Sequence, residues 1–380
     1  MQYYERQIKP DVLKALELKQ ERNPVIILYG PRQAGKTTLM QEVLKGKEGQ
    51  TLLVNGDDIE TQSKFSRHSL EHLKGLVGDK KILAIDEAQK IDNIGLSLKL
   101  LVDNTNIKVL ISGSASFDLA HKLNEPLTGR TRTFWVYPLS VEEIGLHHNW
   151  QLNKDTLLNK TLRYGTFPKV FNITGESDIA NYLYDYVSNY LYRDILSLGL
   201  VRKPKKILDL LSLLALQIGG EVSIHELSSA LSINRQTVEN YLEVLEKSFV
   251  IYNLRGFSRN LRKEISKTSK YYFYDLGVRN AVIRNFNEFN LRDDTGQLFE
   301  NFFIMEKIKI SNNKNRPANF YFWRTYDQKE IDLIEERAGK LMAYEVKWQK
   351  KSLKIPDDFL TAYQNSKFVS VDKEDFQDYL

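Results

Sequence analysis

The chain has no cysteine among its 380 residues. That excludes a disulfide framework, thiol catalysis and thiolate metal sites, and it fits a reducing interior. An apolar signal core is also missing, because the first residues, Met1-Gln2-Tyr3-Tyr4-Glu5-Arg6-Gln7, are polar and charged. No stretch approaches the length that spans a bilayer, so a cytoplasmic protein without membrane association is expected. Charge of one sign is not in large excess either. The net charge of +5 is only mildly basic, so any nucleic-acid argument has to come from local clustering. What is present is 42% hydrophobic and 11% aromatic residues, enough to build cores in a chain of two to three domains.

The strongest local signal is Gly30-Pro31-Arg32-Gln33-Ala34-Gly35-Lys36-Thr37, which fits the phosphate-binding pattern G-x-x-x-x-G-K-[ST] at every position. The apolar run at 25–29 reads as the buried strand that delivers the loop, and 38–44 as the helix whose free N–H groups face the anion. Gly30 and Gly35 let the backbone curl, Lys36 neutralises the β and γ phosphates, and the Thr37 hydroxyl completes a magnesium shell. Residues 30–38, including Thr38, are therefore the expected nucleoside triphosphate site.

Residues 81–87 form another short apolar strand ending in Asp86 and Glu87. At the carboxyl edge of a parallel sheet, Asp86 is placed to hold Mg2+ and Glu87 to polarise a water for attack on the γ-phosphate. Hydrolysis is the natural inference. A nucleotide kinase would use the same loop but needs a second acceptor site, and no Arg-rich lid is evident. Further strands are expected at 51–54, 107–112 and 133–137. The fourth runs into Gly113-Ser114-Ala115-Ser116, where Ser114 is the preferred γ-phosphate sensor and Ser112 or Ser116 the alternatives.

This pattern resembles the AAA+ class of ATPases, within the additional-strand catalytic-glutamate division of P-loop proteins. The resemblance implies ATP as the nucleotide and makes Arg130 or Arg132 an arginine finger that reaches a neighbouring subunit, hence a homo-oligomer.

Residues 151–204 are rich in helix formers and tyrosine and read as a helical lid or connector, interrupted by a turn at 162–168. From 205 to 258 the pattern is helix, helix, turn, helix, strand. Ser223 and Glu226 are spaced as a capping box, and a helix opening at Asn234 or Arg235 leaves Arg235, Gln236, Glu239 and Asn240 on its outer face. This resembles a winged helix-turn-helix. Arg255, Arg259, Arg262, Lys263, Lys267 and Lys270 follow, opposed only by Glu264, so DNA contact without sequence choice is expected through 235–270. A docked protein partner is the competing expectation.

In residues 259–380, Glu300 lies in an apolar helical stretch, Asp332 in a strand, and Glu345 and Lys347 on one face of the returning strand. This arrangement resembles the restriction-endonuclease-like PD-(D/E)xK fold. By that resemblance Asp332 and Glu345 bind magnesium, Lys347 orients a water or stabilises charge, and Glu300 assists. Ile331 stands where that pattern has proline. The expected architecture is thus α/β, with an AAA+-like P-loop parallel sheet over 1–150, the connector over 151–204, a winged helix over 205–258 and a nuclease-like α/β domain over 259–380. The whole resembles a prokaryotic family of AAA+-like ATPases joined to a carboxy-terminal domain of formerly unknown function.

Overall fold

Short apolar strands alternating with helices over the first third of the chain build a five-stranded sheet, described here from a computed structural model. It describes residues 2–18, 23–114, 127–149, 152–192, 195, 203–258, 269–325, 329–350 and 357–380. The chain divides into two compact units: residues 1–139, 167–172 and 247–249 form the first, and 140–166, 173–246 and 250–380 the second.

In the first unit β1 (Val25–Gly30), β2 (Thr51–Asn55), β3 (Ile82–Asp86), β4 (Lys108–Ser114) and β5 (Thr131–Trp135) lie in the order β2-β3-β4-β1-β5. Every neighbouring pair is parallel. A parallel sheet has to be covered on both faces, and strand alternation divides the apolar side chains between them. Ile27, Leu83, Ile85, Val109 and Ile111 pack with residues of the helices Ile59–Phe65, Leu70–Val77 and Ile94–Asn104. Ile26, Leu28, Ala84 and Leu110 pack with the helices Lys9–Glu17 and Lys36–Leu44. Although fourth in sequence, β4 inserts between β1 and β3 and pairs Ser114 with Gly30. The carboxyl ends of β1, β4 and β3 therefore lie side by side.

β5 begins before residue 133, so Arg132 is a strand residue, its guanidinium 5.2 Å from the centre of the Phe134 ring.

The second unit holds a seven-stranded mixed sheet, ordered β12-β11-β10-β9-β7-β8-β6. These strands are β6 (Glu221–Val222), β7 (Ile251–Gly256), β8 (Ser269–Phe273), β9 (Asn319–Arg324), β10 (Glu330–Arg337), β11 (Lys340–Val346) and β12 (Ser366–Val371). The division drawn from sequence at 258/259 falls inside the β7–β8 hairpin, and β7 also pairs with β9. One sheet thus runs through both segments.

Helices Pro204–Leu216, Ile224–Leu231 and Arg235–Lys247 precede β7. Ser223 accepts a hydrogen bond from the Glu226 N–H, and Asn234 Oδ1 accepts one from the Thr237 N–H at 2.7 Å, so each of the last two helices starts on its own cap. Val238, Tyr241, Leu242, Val244 and Leu245 are buried, while Arg235, Gln236, Glu239 and Asn240 face out, as the periodicity predicts.

The turn at 162–168 is built on a buried carboxylate. Asp275 Oδ2 accepts from the Thr166 N–H at 2.6 Å, and a Cβ on Gly165 would stand 2.0 Å from Asp275 Oδ1. Lys309 donates to Thr166 Oγ1 at 2.9 Å and pairs with Glu306 at 2.8 Å. Among the described residues no helix is long and apolar enough to cross a membrane.

Candidate functional site

The loop after β1 is shaped by three backbone constraints. A Cβ on Gly30 would stand 2.1 Å from the Val136 carbonyl oxygen, which leaves room for glycine alone. Gln33 and Gly35 sit at φ 61° and 95°, in the left-handed region that curls the chain before helix Lys36–Leu44. Lys36 is 4% exposed, and its ammonium donates to the carbonyls of Gly30 (2.9 Å) and Pro31 (2.8 Å). The positive charge is thereby held inside the loop, beside the N-terminus of the helix.

Across from it, Thr37 Oγ1 donates to Asp86 Oδ2 at 2.7 Å, and Ser112 Oγ donates to the other carboxylate oxygen. Ser112 in turn accepts from the Glu87 N–H at 3.1 Å. Glu87 is left-handed, φ 51°, and a Cβ on Gly56 would stand 2.3 Å from its carbonyl oxygen. Gln89 donates from Nε2 to Glu87 Oε2 and, at 2.9 Å, to Ser114 Oγ. The sequence-selected Lys36, Thr37, Asp86, Glu87 and Ser114 are therefore brought to one edge. Ser112, kept as an alternative sensor, shares Asp86 with Thr37, and Ser116 lies outside the described residues. The Thr37 hydroxyl and the Asp86 carboxylate are hard oxygen donors of the kind that Mg2+ takes, so these residues fit that ion.

Arg6 was not singled out from sequence. It is 3% exposed and donates to the carbonyls of Ala34 (2.7 Å) and Tyr137 (2.6 Å), which ties the loop to the end of the sheet. No local pattern marks an arginine so far upstream of the loop. Arg130 precedes β5 and pairs with Asp103 at 2.8 Å. A cavity of about 880 Å³ lined by Lys74, Lys80, Lys81 and Lys108 lies where β3 and β4 begin, at the opposite edge from the loop, and is no part of this site.

In the second unit the hairpin β10–β11 brings Asp332, Glu345 and Lys347 together. Lys347 Nζ is 2.7 Å from Glu345 and 3.5 Å from Asp332, and Asp332 Oδ2 also accepts from the Val346 N–H at 2.8 Å. Burial and Asp332 raise the Glu345 pKa. Burial works against the Lys347 charge, but Asp332 and Glu345 outweigh it and hold the pKa above the ordinary lysine value. Glu300, on helix Thr295–Asn313, accepts from the Tyr272 hydroxyl at 2.6 Å and lies 3.8 Å from Lys270.

Lys270 corrects an expectation. Counted from sequence among the DNA-facing cations, it is 2% exposed and paired with Glu330, because β8 turns it into the carboxylate cluster. Arg259, Arg262, Lys263 and Lys267 lie outside the described residues, and Arg255 is exposed. Among the described residues no group of three or more His, Cys, Asp and Glu side chains forms a metal cage. Mg2+ commonly takes only one or two carboxylates and completes its shell with water and phosphate, so the pair Asp332 and Glu345 fits it.

Burial, reinforced by Asp332, pushes the Glu300 pKa up to about 8 from 4.5. The folded chain then holds this proton more tightly than the unfolded chain. The stability it contributes is complete at acid pH and is lost as pH rises toward 8. Relative to Glu300→Gln, which carries no titrating proton, wild-type stability falls between about pH 5 and pH 8. Urea midpoints of the two proteins across that range check this, and a constant difference contradicts it.

The parallel sheet, its loop and the paired acids define a P-loop nucleotide-binding domain. Residues 22–145 match the family model described as an AAA domain. Residues 155–288 and 295–378 match two domains of unknown function, DUF8612 and DUF4143. Uncharacterized protein Rv2008c of Mycobacterium tuberculosis is 28% identical over 341 residues, spanning 89% of this chain and 73% of that protein. Uncharacterized protein MJ1544 of Methanocaldococcus jannaschii is 25% identical over 362 residues, 90% of this chain and 79% of that one. Among solved structures, the RuvB Holliday junction branch migration motor of Thermotoga maritima has a TM-score of 0.34 at 16% identity, covering 64% of this chain and 88% of that chain. AMPPCP-bound DnaA from Aquifex aeolicus has a TM-score of 0.29 at 17% identity, covering 63% and 86%. Scores this low carry no functional weight.

Proposed function

We propose that the protein is a Mg2+-dependent ATPase of the AAA+ type that works as a homo-oligomer and binds DNA. The observation that carries the reading is the juxtaposition of Lys36, Thr37, Asp86 and Glu87 at the carboxyl edge of β1 and β3, with β4 inserted between those strands. Lys36 and the helix N-terminus bind the phosphates. Thr37 and Asp86 would hold Mg2+, which would offset charge on the transferring phosphoryl group. Glu87 accepts a proton from the attacking water. Glu87→Gln removes that base and leaves the phosphate contacts in place, so turnover falls about a hundredfold to ten-thousandfold while ATP binding persists. Single-turnover hydrolysis alongside equilibrium binding measures both.

The DNA reading rests on the three helices before β7, with strands ordered β6-β8-β7, which support a winged helix whose outer helix face is Arg235, Gln236, Glu239 and Asn240. The stretch 259–267 adds phosphate contacts. At the second site Asp332 and Glu345 would hold Mg2+, and Lys347 would stabilise charge during strand cleavage. A second reading is a nucleotide-controlled switch that docks a protein, with the nuclease-like fold as a binding module. It is favoured by the exposed Glu239 and Glu243 on the same helix and by the burial of Lys270. Binding to duplex DNA that weakens steeply with salt supports the first reading, and a salt-insensitive, protein-dependent interaction without DNA affinity supports the second.

A further inference from the structure

We infer that Gln89 is a positioning residue for hydrolysis, aiming the Glu87 carboxylate from an anchor on Ser114. The inference rests on the ATPase reading and extends it to a side chain outside the phosphate-binding and paired-acid motifs. Gln89 is buried in the short helix Ala88–Lys90, directly after the strand-end acids. Its single amide nitrogen carries two hydrogens and meets two acceptors, Glu87 Oε2 and Ser114 Oγ.

The backbone does not fix the Glu87 side chain by itself. Glu87 sits at φ 51°, a conformation that favours glycine or asparagine, and its own N–H is committed to Ser112. The carboxylate oxygen is held by a neighbour instead. Ser114 stands opposite Gly30 in the β1–β4 register, at the start of the phosphate loop. The amide of Gln89 therefore connects the hydrolytic carboxylate to the strand that borders the loop. A displacement of about 1 Å in such a group can lower turnover about a hundredfold.

The test is a mutant cycle on the protein with Mg-ATP, reading single-turnover hydrolysis, equilibrium ATP affinity and melting temperature. Gln89→Ala is expected to lower hydrolysis about a hundredfold, with ATP affinity and melting temperature as in wild type. Ser114→Ala is expected to lower it less. Because Gln89 acts through Glu87, adding Gln89→Ala to Glu87→Gln is expected to change nothing further. Three results overturn the proposal: wild-type hydrolysis in Gln89→Ala, loss of ATP affinity or stability in step with hydrolysis, or a full additional loss in the Glu87→Gln background. A wild-type protein that binds ATP without hydrolysing it overturns the ATPase reading and this proposal with it, and is recognised before any variant is made.

Discussion

Lys36→Ala will abolish nucleotide turnover and weaken ATP binding by about 2–5 kcal/mol, a factor of roughly thirty to several thousand. The ammonium is already desolvated inside the loop, held by the Gly30 and Pro31 carbonyls. Its attraction to phosphate is therefore weakly screened, and alanine leaves a buried anion without its counter-charge. Titration with a fluorescent ATP analogue measures the loss. The same reading requires the two sites to be separable. Lys347→Ala leaves ATP turnover intact and removes any DNA cleavage, whereas cleavage unchanged in that variant would strike the second active site from the account.

If Arg130 is the arginine finger of the proposed homo-oligomer, Arg130→Ala will lower turnover about a thousandfold or more, the usual worth of such a finger. Arg130 precedes β5 at the edge where the parallel strands begin, and the phosphate loop follows β1 at the other edge. A six-residue strand such as β1 spans about 20 Å. Arg130 is thus out of reach of its own nucleotide, and any ATP it touches belongs to a second copy. Leaving Asp103 costs little, since a partly exposed ion pair is worth about 0–1 kcal/mol. Mixing Arg130→Ala with Lys36→Ala subunits is therefore expected to restore part of the turnover that each lacks. No recovery, with Arg130→Ala alone within a few-fold of wild type, would leave Arg130 as a surface ion-pair residue.

The parts of the candidate sites that sequence made legible are those encoded within a few neighbouring residues. The loop at 30–37, the acids at the end of β3 and the Asp332/Glu345/Lys347 hairpin each follow from strand period and turn chemistry over short windows. The polar outer face of helix Arg235–Lys247 was legible for the same reason. What sequence did not reveal joins distant segments. Arg6 grips Ala34 and Tyr137, Asp275 shapes the turn at Gly165 and Thr166, and Lys270 enters the carboxylate cluster of Glu300 and Glu330. Lys270 shows why charge clustering misleads. A cation counted by its neighbours in sequence is placed by strand alternation, and β8 turns this one inward. Gln89 was missed because a glutamine just after two acids has no periodic signature, and its meaning arises only when β4 brings Ser114 alongside.

The most direct measurement is ATP hydrolysis by the purified protein, with and without Mg2+ and with and without duplex DNA. Mg2+-dependent turnover that DNA stimulates and Glu87→Gln removes is the predicted result. Tight ATP binding without turnover in any of these conditions, or turnover that persists unchanged in Glu87→Gln, would contradict the account.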